Sequence, residues 1–124
     1  MTITDWESYI SSLPTIENEL NNLPKPENFQ KSIYVIHMPP NKLGLDVCSD
    51  GREVGSKAVY DFLKQKQPLF SLHGHIHESP DKTGIWSAKL GDTVCIQPGQ
   101  MYGLTYVTIY TEKMKYETDV YMDF

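Results

Sequence analysis

Hydrophobic positions near the start of the chain recur at helical intervals. Trp6, Tyr9, Ile10 and Leu13 share one face, and Thr4-Asp5-Trp6-Glu7 has the spacing of a capping box, so a short amphipathic helix is predicted from about residue 5. Pro14 ends it. Thr15 can cap a second helix whose Ile16, Leu20 and Leu23 share a face, and Pro24 and Pro26 then open a linker over residues 24–31. Ser32-Ile33-Tyr34-Val35-Ile36 is a continuous run rich in β-branched residues, the pattern of a strand buried on both faces, and it stops at His37 and Pro39-Pro40.

Residues 41–51 read as loop. Gly55-Ser56 then opens a helix whose Val59, Phe62 and Leu63 form one apolar face, and Pro68 follows it. Leu69-Phe70-Ser71-Leu72 reads as a second short buried strand leading into His73. The order strand, helix, strand implies a parallel crossover, so both strand tips lie on one edge of the sheet and His37 comes near residues 73–77. Beyond that point the pattern turns antiparallel. Ile85–Leu90 and Thr93–Ile96 around Gly91-Asp92 read as one hairpin. Leu104–Tyr110 and Tyr116–Met122, joined through Thr111-Glu112-Lys113, read as another, with Tyr116, Thr118, Val120 and Met122 on one side and Lys115, Glu117, Asp119 and Tyr121 on the other. The expectation is a single α/β domain over residues 1–124, with helices and linker in 1–31 and a mixed sheet in 32–124.

The chain has 124 residues, 40% of them hydrophobic, which is enough for one core. Eleven basic and sixteen acidic side chains give a net charge of −5, and no stretch clusters Lys and Arg with aromatics. Nucleic acid and anionic membrane are therefore not expected as partners. The start lacks the pattern of a signal peptide, no run reaches membrane-spanning length, and a cytoplasmic location is expected. Cys48 and Cys95 lie far apart without metal-ligand spacing and are expected as free thiols.

Chemistry concentrates in the histidines. All four fall between residues 37 and 77, three of them within His73-Gly74-His75-Ile76-His77. Imidazole is the commonest ligand for borderline metals and titrates near neutrality, so the cluster points to metal binding or acid/base work. Gly74 permits the sharp turn that brings neighbouring imidazoles together. Three chemistries use such clusters. A histidine-triad nucleotide hydrolase needs apolar fillers, and Gly74, Glu78 and Ser79 fit poorly. A cupin site needs a glutamate several residues further along the strand, whereas Glu78 follows His77 directly.

The third matches. Ile36-His37-Met38-Pro39-Pro40, then Gly55-Ser56, then Gly74-His75-Ile76-His77-Glu78-Ser79, then Gly91-Asp92-Thr93 and Pro98-Gly99 resemble, in order and spacing, the C-terminal half of a calcineurin-like metallophosphoesterase. The resemblance covers essentially the whole chain. It implies half of an α/β sandwich of two sheets flanked by helices, and a dinuclear hydrolase of phosphoric esters. His37 and His75 match ligands of one ion and His77 a ligand of the other, with Mn, Fe, Zn or Ni suited to neutral imidazole. The family's earlier motifs, an Asp-x-His, a Gly-Asp and a Gly-Asn-His-Asp/Glu, have no counterpart here, so bridging carboxylate, Asn ligand and general acid are missing. Gln97-Pro98-Gly99 stands where relatives usually have Asn-Pro-Gly.

Such a chain is expected to hold one metal weakly and to turn over little or nothing alone. The missing motifs would come from an N-terminal half-domain on another chain, or from a longer parent. The alternative is a noncatalytic metal-binding or oligomerisation module. His73 is expected in packing or behind the ligands, and Glu78 as a carboxylate that fixes a histidine tautomer. Asp46 and Asp50 are expected in a solvated loop, with Asp46 a further candidate near the cleft. Gly55 and Ser56 are candidates for a substrate phosphate, with simple helix capping the competing account. The exposed edge left by missing strands implies a partner or self-association.

Overall fold

The computed structural model describes residues 2–112 and 115–121. Helix α1 spans Ile3–Ser12 and α2 spans Ile16–Asn21. The first cap differs from the expected one. Thr2 is the N-cap: its hydroxyl accepts from the Asp5 N–H at 3.1 Å, and the Asp5 carboxylate accepts from the Thr2 N–H at 3.0 Å. Asp5 makes a short reach back to Thr2, so the helix starts two residues earlier than Thr4 would set it. Thr15 caps α2 as expected, with its hydroxyl accepting from Asn18. Leu23 falls beyond the end of α2, and the linker contains a 3₁₀ turn at Phe29–Lys31.

Strands β1 (Ile33–Val35), β2 (Phe70–Leu72), β3 (Ser87–Leu90) and β4 (Thr93–Ile96) form one mixed sheet in the order β1-β2-β4-β3. β1 and β2 are parallel, joined through α3 (Lys57–Lys66), as the strand-helix-strand order requires. The hairpin β3–β4 is antiparallel as expected, and β4 also pairs parallel with β2, which its sequence pattern does not disclose. A short helix α4 (Ser79–Thr83), with Pro80 in its first turn, follows the histidines where no element is foreseen. β5 (Leu104–Tyr110) and β6 (Lys115–Tyr121) make a separate antiparallel pair. Lys115, Glu117 and Asp119 of β6 are exposed while Tyr116 and Thr118 are half-buried, matching the alternation; Lys113 and Met122 of the expected hairpin lie outside the described residues.

The sheet separates two cores. On one face Leu20, Leu45, Val59, Phe62 and Leu63 pack against Ile36, Leu90 and Cys95, with Tyr34 against Phe62. On the other, Phe70, Val94 and Ile96 meet Trp86, which precedes β3, and Val107, Ile109 and Tyr116 of the smaller sheet. Register puts Ile33 beside Phe70 and Val35 beside Leu72, so both belong to this second face. The smaller sheet does not cover them. Ile33 is 45% and Val35 78% exposed, which corrects the expectation of a strand buried on both sides: β1 is an edge strand with one covered face. Cys48 and Cys95 are both free thiols, and burial pushes Cys95 up from its ordinary pKa. Among the described residues no helix is long and apolar enough to cross a membrane.

The loop between β1 and α3 is tied down rather than solvated. Asp46 is fully buried, which corrects the expectation of a solvated position. One of its carboxylate oxygens accepts from the Gly55 N–H at 2.8 Å, while the other, also buried, has no hydrogen-bond partner among the described residues. A Cβ on Gly55 would stand 2.6 Å from the Pro40 carbonyl oxygen and 2.7 Å from Asp46 Oδ2. Backbone and a buried carboxylate cannot both retreat. Gly55→Ala is therefore expected to destabilise the fold by about 2 kcal/mol, the usual scale of forced overpacking, measurable as a lower urea midpoint at unchanged slope.

Candidate metal centre

Parallel pairing places the carboxyl ends of β1, β2 and β4 on one edge. The residues that follow them there are Ile36-His37, His73 and Gln97. Ile36 N–H donates to Leu72 O at 3.0 Å and His73 N–H to Ile96 O at 2.8 Å, so the ladder extends one step past each strand before the chains diverge.

His73 is buried and holds these ends together. Its Nδ1 lies 2.9 Å from Ile36 O and 3.1 Å from Met38 O, and its Nε2 lies 2.8 Å from Ser71 Oγ. Two carbonyls require a proton on Nδ1, which leaves Nε2 to accept from the serine hydroxyl. Burial dominates its ionisation and lowers its pKa from 6.5 to about 4, against the opposing pull of the two carbonyls. This is a neutral imidazole, buried and bonded at both ring nitrogens.

His37 and His75 face each other. Gly74 N–H donates to His37 O at 2.9 Å, and a Cβ at Gly74 would stand 3.3 Å from His37 Nδ1, so glycine allows the close approach. Ile76 N–H returns to Gly74 O at 2.8 Å, a tight turn that sets His75 in the left-handed region at φ +68°. The result brings His75 Nδ1 within 3.2 Å of His37 Nε2, with the rings near perpendicular. Both side chains are exposed. Two nitrogens each about 2.0–2.1 Å from one tetrahedral ion would stand about 3.3 Å apart. The pair therefore has the separation that two ligands of one ion need, and also that of a single N–H···N bond.

His77 does not complete the set. It is exposed, and among the described residues no three His, Cys, Asp or Glu side chains are grouped to hold a metal ion. Its backbone is held, with Gln100 N–H donating to His77 O at 3.2 Å. Glu78 does not orient a histidine: its carboxylate accepts from Ser49 Oγ at 3.2 Å. Asp50 is exposed and paired with Arg52 at 2.6 Å; a backbone bond from Arg52, together with this pairing, holds its carboxyl below the usual range. The two phosphate candidates have their donors engaged. Gly55 N–H goes to Asp46, Ser56 N–H to Pro39 O at 2.9 Å, and Ser56 Oγ caps α3 through Val59, so capping accounts for this pair.

Two residues emerge that the sequence pattern leaves unremarked in this role. Gln97 is buried directly after β4; its amide donates to Gly74 O and accepts from Gly99 N–H at 3.3 Å, clamping the turn that carries His75. The hydroxyl of buried Ser79 accepts from Val47 N–H at 3.0 Å and fastens the β1–α3 loop to the end of the histidine turn. In the residues themselves, Gln97 is marked by a polar side chain straight after an apolar strand and by the Pro98-Gly99 that follows it.

No family model matches the sequence, and no curated protein does. The fold does have solved counterparts. A crystal structure superposes with a TM-score of 0.61 at 19% identity, covering 94% of this chain and 39% of its own. Another, of TT1561 from Thermus thermophilus, gives 0.49 at 25% identity, covering 82% of this chain and 36% of its own. The chain thus spans well under half the length of the structures it resembles, and what the first establishes is the α/β fold.

The depressed pKa of His73 makes stability depend on pH. Folded His73 resists protonation down to about pH 4 while the unfolded side chain takes a proton near 6.5, so stability present above pH 6.5 is lost as pH falls toward 4. The loss is on the order of 3 kcal/mol. Urea unfolding from pH 7.5 to 4 should show that slope in the wild type and a flatter profile in His73→Gln; parallel profiles would place the titration elsewhere.

Proposed function

We propose that this chain is the C-terminal part of a calcineurin-like metallophosphoesterase domain, and that the completed domain hydrolyses phosphoric esters. The observation that carries this reading is the 3.2 Å approach of His37 Nε2 and His75 Nδ1 at the carboxyl edge of the sheet, on a Gly-His-x-His turn. A divalent transition ion there, Mn, Fe, Zn or Ni, would supply Lewis-acid activation of water and charge stabilisation for the phosphoryl oxygens. His37 and His75 would hold it, and exposed His77 is available to a second ion. Gly74 admits the approach of the rings, Gln97 fixes the turn, and His73 fixes the backbone on either side of His37.

The chain's own carboxylates do not serve this chemistry. Asp46 is buried on Gly55, Asp50 is paired with Arg52, and Glu78 bonds Ser49. Turnover therefore depends on carboxylates brought by further polypeptide, in keeping with a likeness that spans only 39% of the longer structure. The two-ligand character of the site also favours a second reading, a noncatalytic module that keeps the fold and one weak metal site.

Calorimetry with Zn or Mn is expected to give one weak site per chain, weakened at least tenfold (about 1.4 kcal/mol) in His75→Ala. Nitrophenyl phosphate mono- and diesters should be hydrolysed negligibly by the chain alone. Activity that appears on adding a polypeptide bearing the missing motifs supports the split domain. Robust turnover by the chain alone, abolished in His75→Ala, would show that its own residues complete the centre.

A further inference from the structure

We propose that a second copy of this chain covers the open side of β1, with α1 of each copy lying in the groove beside β1 of the other. Parallel strands are ordinarily covered on both faces, and β1 is not. Its inward backbone groups are used: Leu69 N–H donates to Ser32 O, and Ile36 N–H to Leu72 O. The backbone groups of Ile33 and Val35 turn to the unpaired edge. Along that edge runs a groove of about 330 Å³ lined by Ile16, Leu20, Leu23, Val35, Ile36 and Met38, with Glu19 and His37 at its margin.

The chain carries a helix that suits this groove and is otherwise unused. α1 buries none of its residues, yet Ile3, Trp6, Ile10 and Leu13 form one apolar stripe with Tyr9 beside it. Its connection to α2 is only Leu13-Pro14-Thr15. Leu13 and Thr15 are both extended and Pro14 cannot continue a helix, so α1 does not run on into α2. Exchange of such an element between two copies gives a closed two-fold contact.

Charge and area both favour a second copy over a lipid surface. Residues 1–24 contain Asp5, Glu7, Glu17 and Glu19 and no Lys or Arg, the opposite of a helix that lies on anionic lipid. Four exposed apolar side chains of α1 and Leu13 just after it, with Leu23 and Val35 at the groove, offer about 700 Å² per copy at roughly 100 Å² each, close to the share each partner gives a standard interface.

Sedimentation equilibrium of the full chain is expected to show a dimer at micromolar concentration. Trp6→Glu and Val35→Lys should each weaken it at least tenfold (about 1.4 kcal/mol). Both positions are exposed in one copy, and circular dichroism should show that each variant stays folded. A mixture of the two variants should associate more tightly than either alone, since the heterodimer keeps one contact intact and in the other sets the introduced acid against the introduced base. A monomeric wild type, a dimer indifferent to both substitutions, or a mixture that associates no more tightly than either variant would overturn the exchange.

Discussion

An uncharged imidazole buried between two strand ends holds the histidine edge in place. His73 reaches across from β2 to the carbonyls of Ile36 and Met38, the residues on either side of His37, while Ser71 anchors its other nitrogen. Every requirement of the site passes through this contact. His37 faces His75 because the backbone on both sides of it is pinned, and the pinning works through the proton on His73 Nδ1. Burial is what keeps the ring uncharged, against the pull of those two carbonyls. The imidazoles available for chemistry are thus oriented by one that is not.

Much of this frame is legible in the sequence, for identifiable reasons. Val59, Phe62 and Leu63 announce α3 because helical period and core face coincide there, and the β-branched run before His37 announces a strand whatever its neighbours. The crossover then fixes which edge carries the histidines. What stays hidden depends on partners distant in sequence. Nothing about Val35 says that the smaller sheet stops short of it, and an apolar run reads the same in an edge strand as in a central one. Asp46 has the look of a loop carboxylate until Gly55 is folded over it. The first cap falls at Thr2 rather than Thr4 because two overlapping residue patterns compete and local geometry chooses between them.

The two faces of the sheet are finished to different degrees. On the helical side α2, α3 and the β1–α3 loop make a continuous core, and Cys95 and Leu45 within it are fully buried. On the other side the smaller sheet covers β2 and β4 through Phe70, Val94 and Ile96 and leaves β1 bare. The site sits at the boundary between these regimes, with His37 following the unfinished strand and His73 the finished one. Whatever covers β1 therefore lies next to the histidine pair, and the completeness of the fold and of the site are linked at that strand.

The hydrogen bonds that build the edge join residues far apart along the chain: 32 positions separate Val47 from Ser79, 37 separate Ile36 from His73, and 38 separate His37 from His75. Contacts of such long range are won only after the entropy of closing large loops has been met, so they belong to the slow part of folding. Short helices and the β5–β6 hairpin can form from neighbours, whereas the paired imidazoles cannot exist in any partly ordered chain that lacks the β1–β2 pairing. During folding, a nascent chain thus presents its histidines singly, as loose surface side chains, and acquires a defined pair only when the β1–β2 register is set.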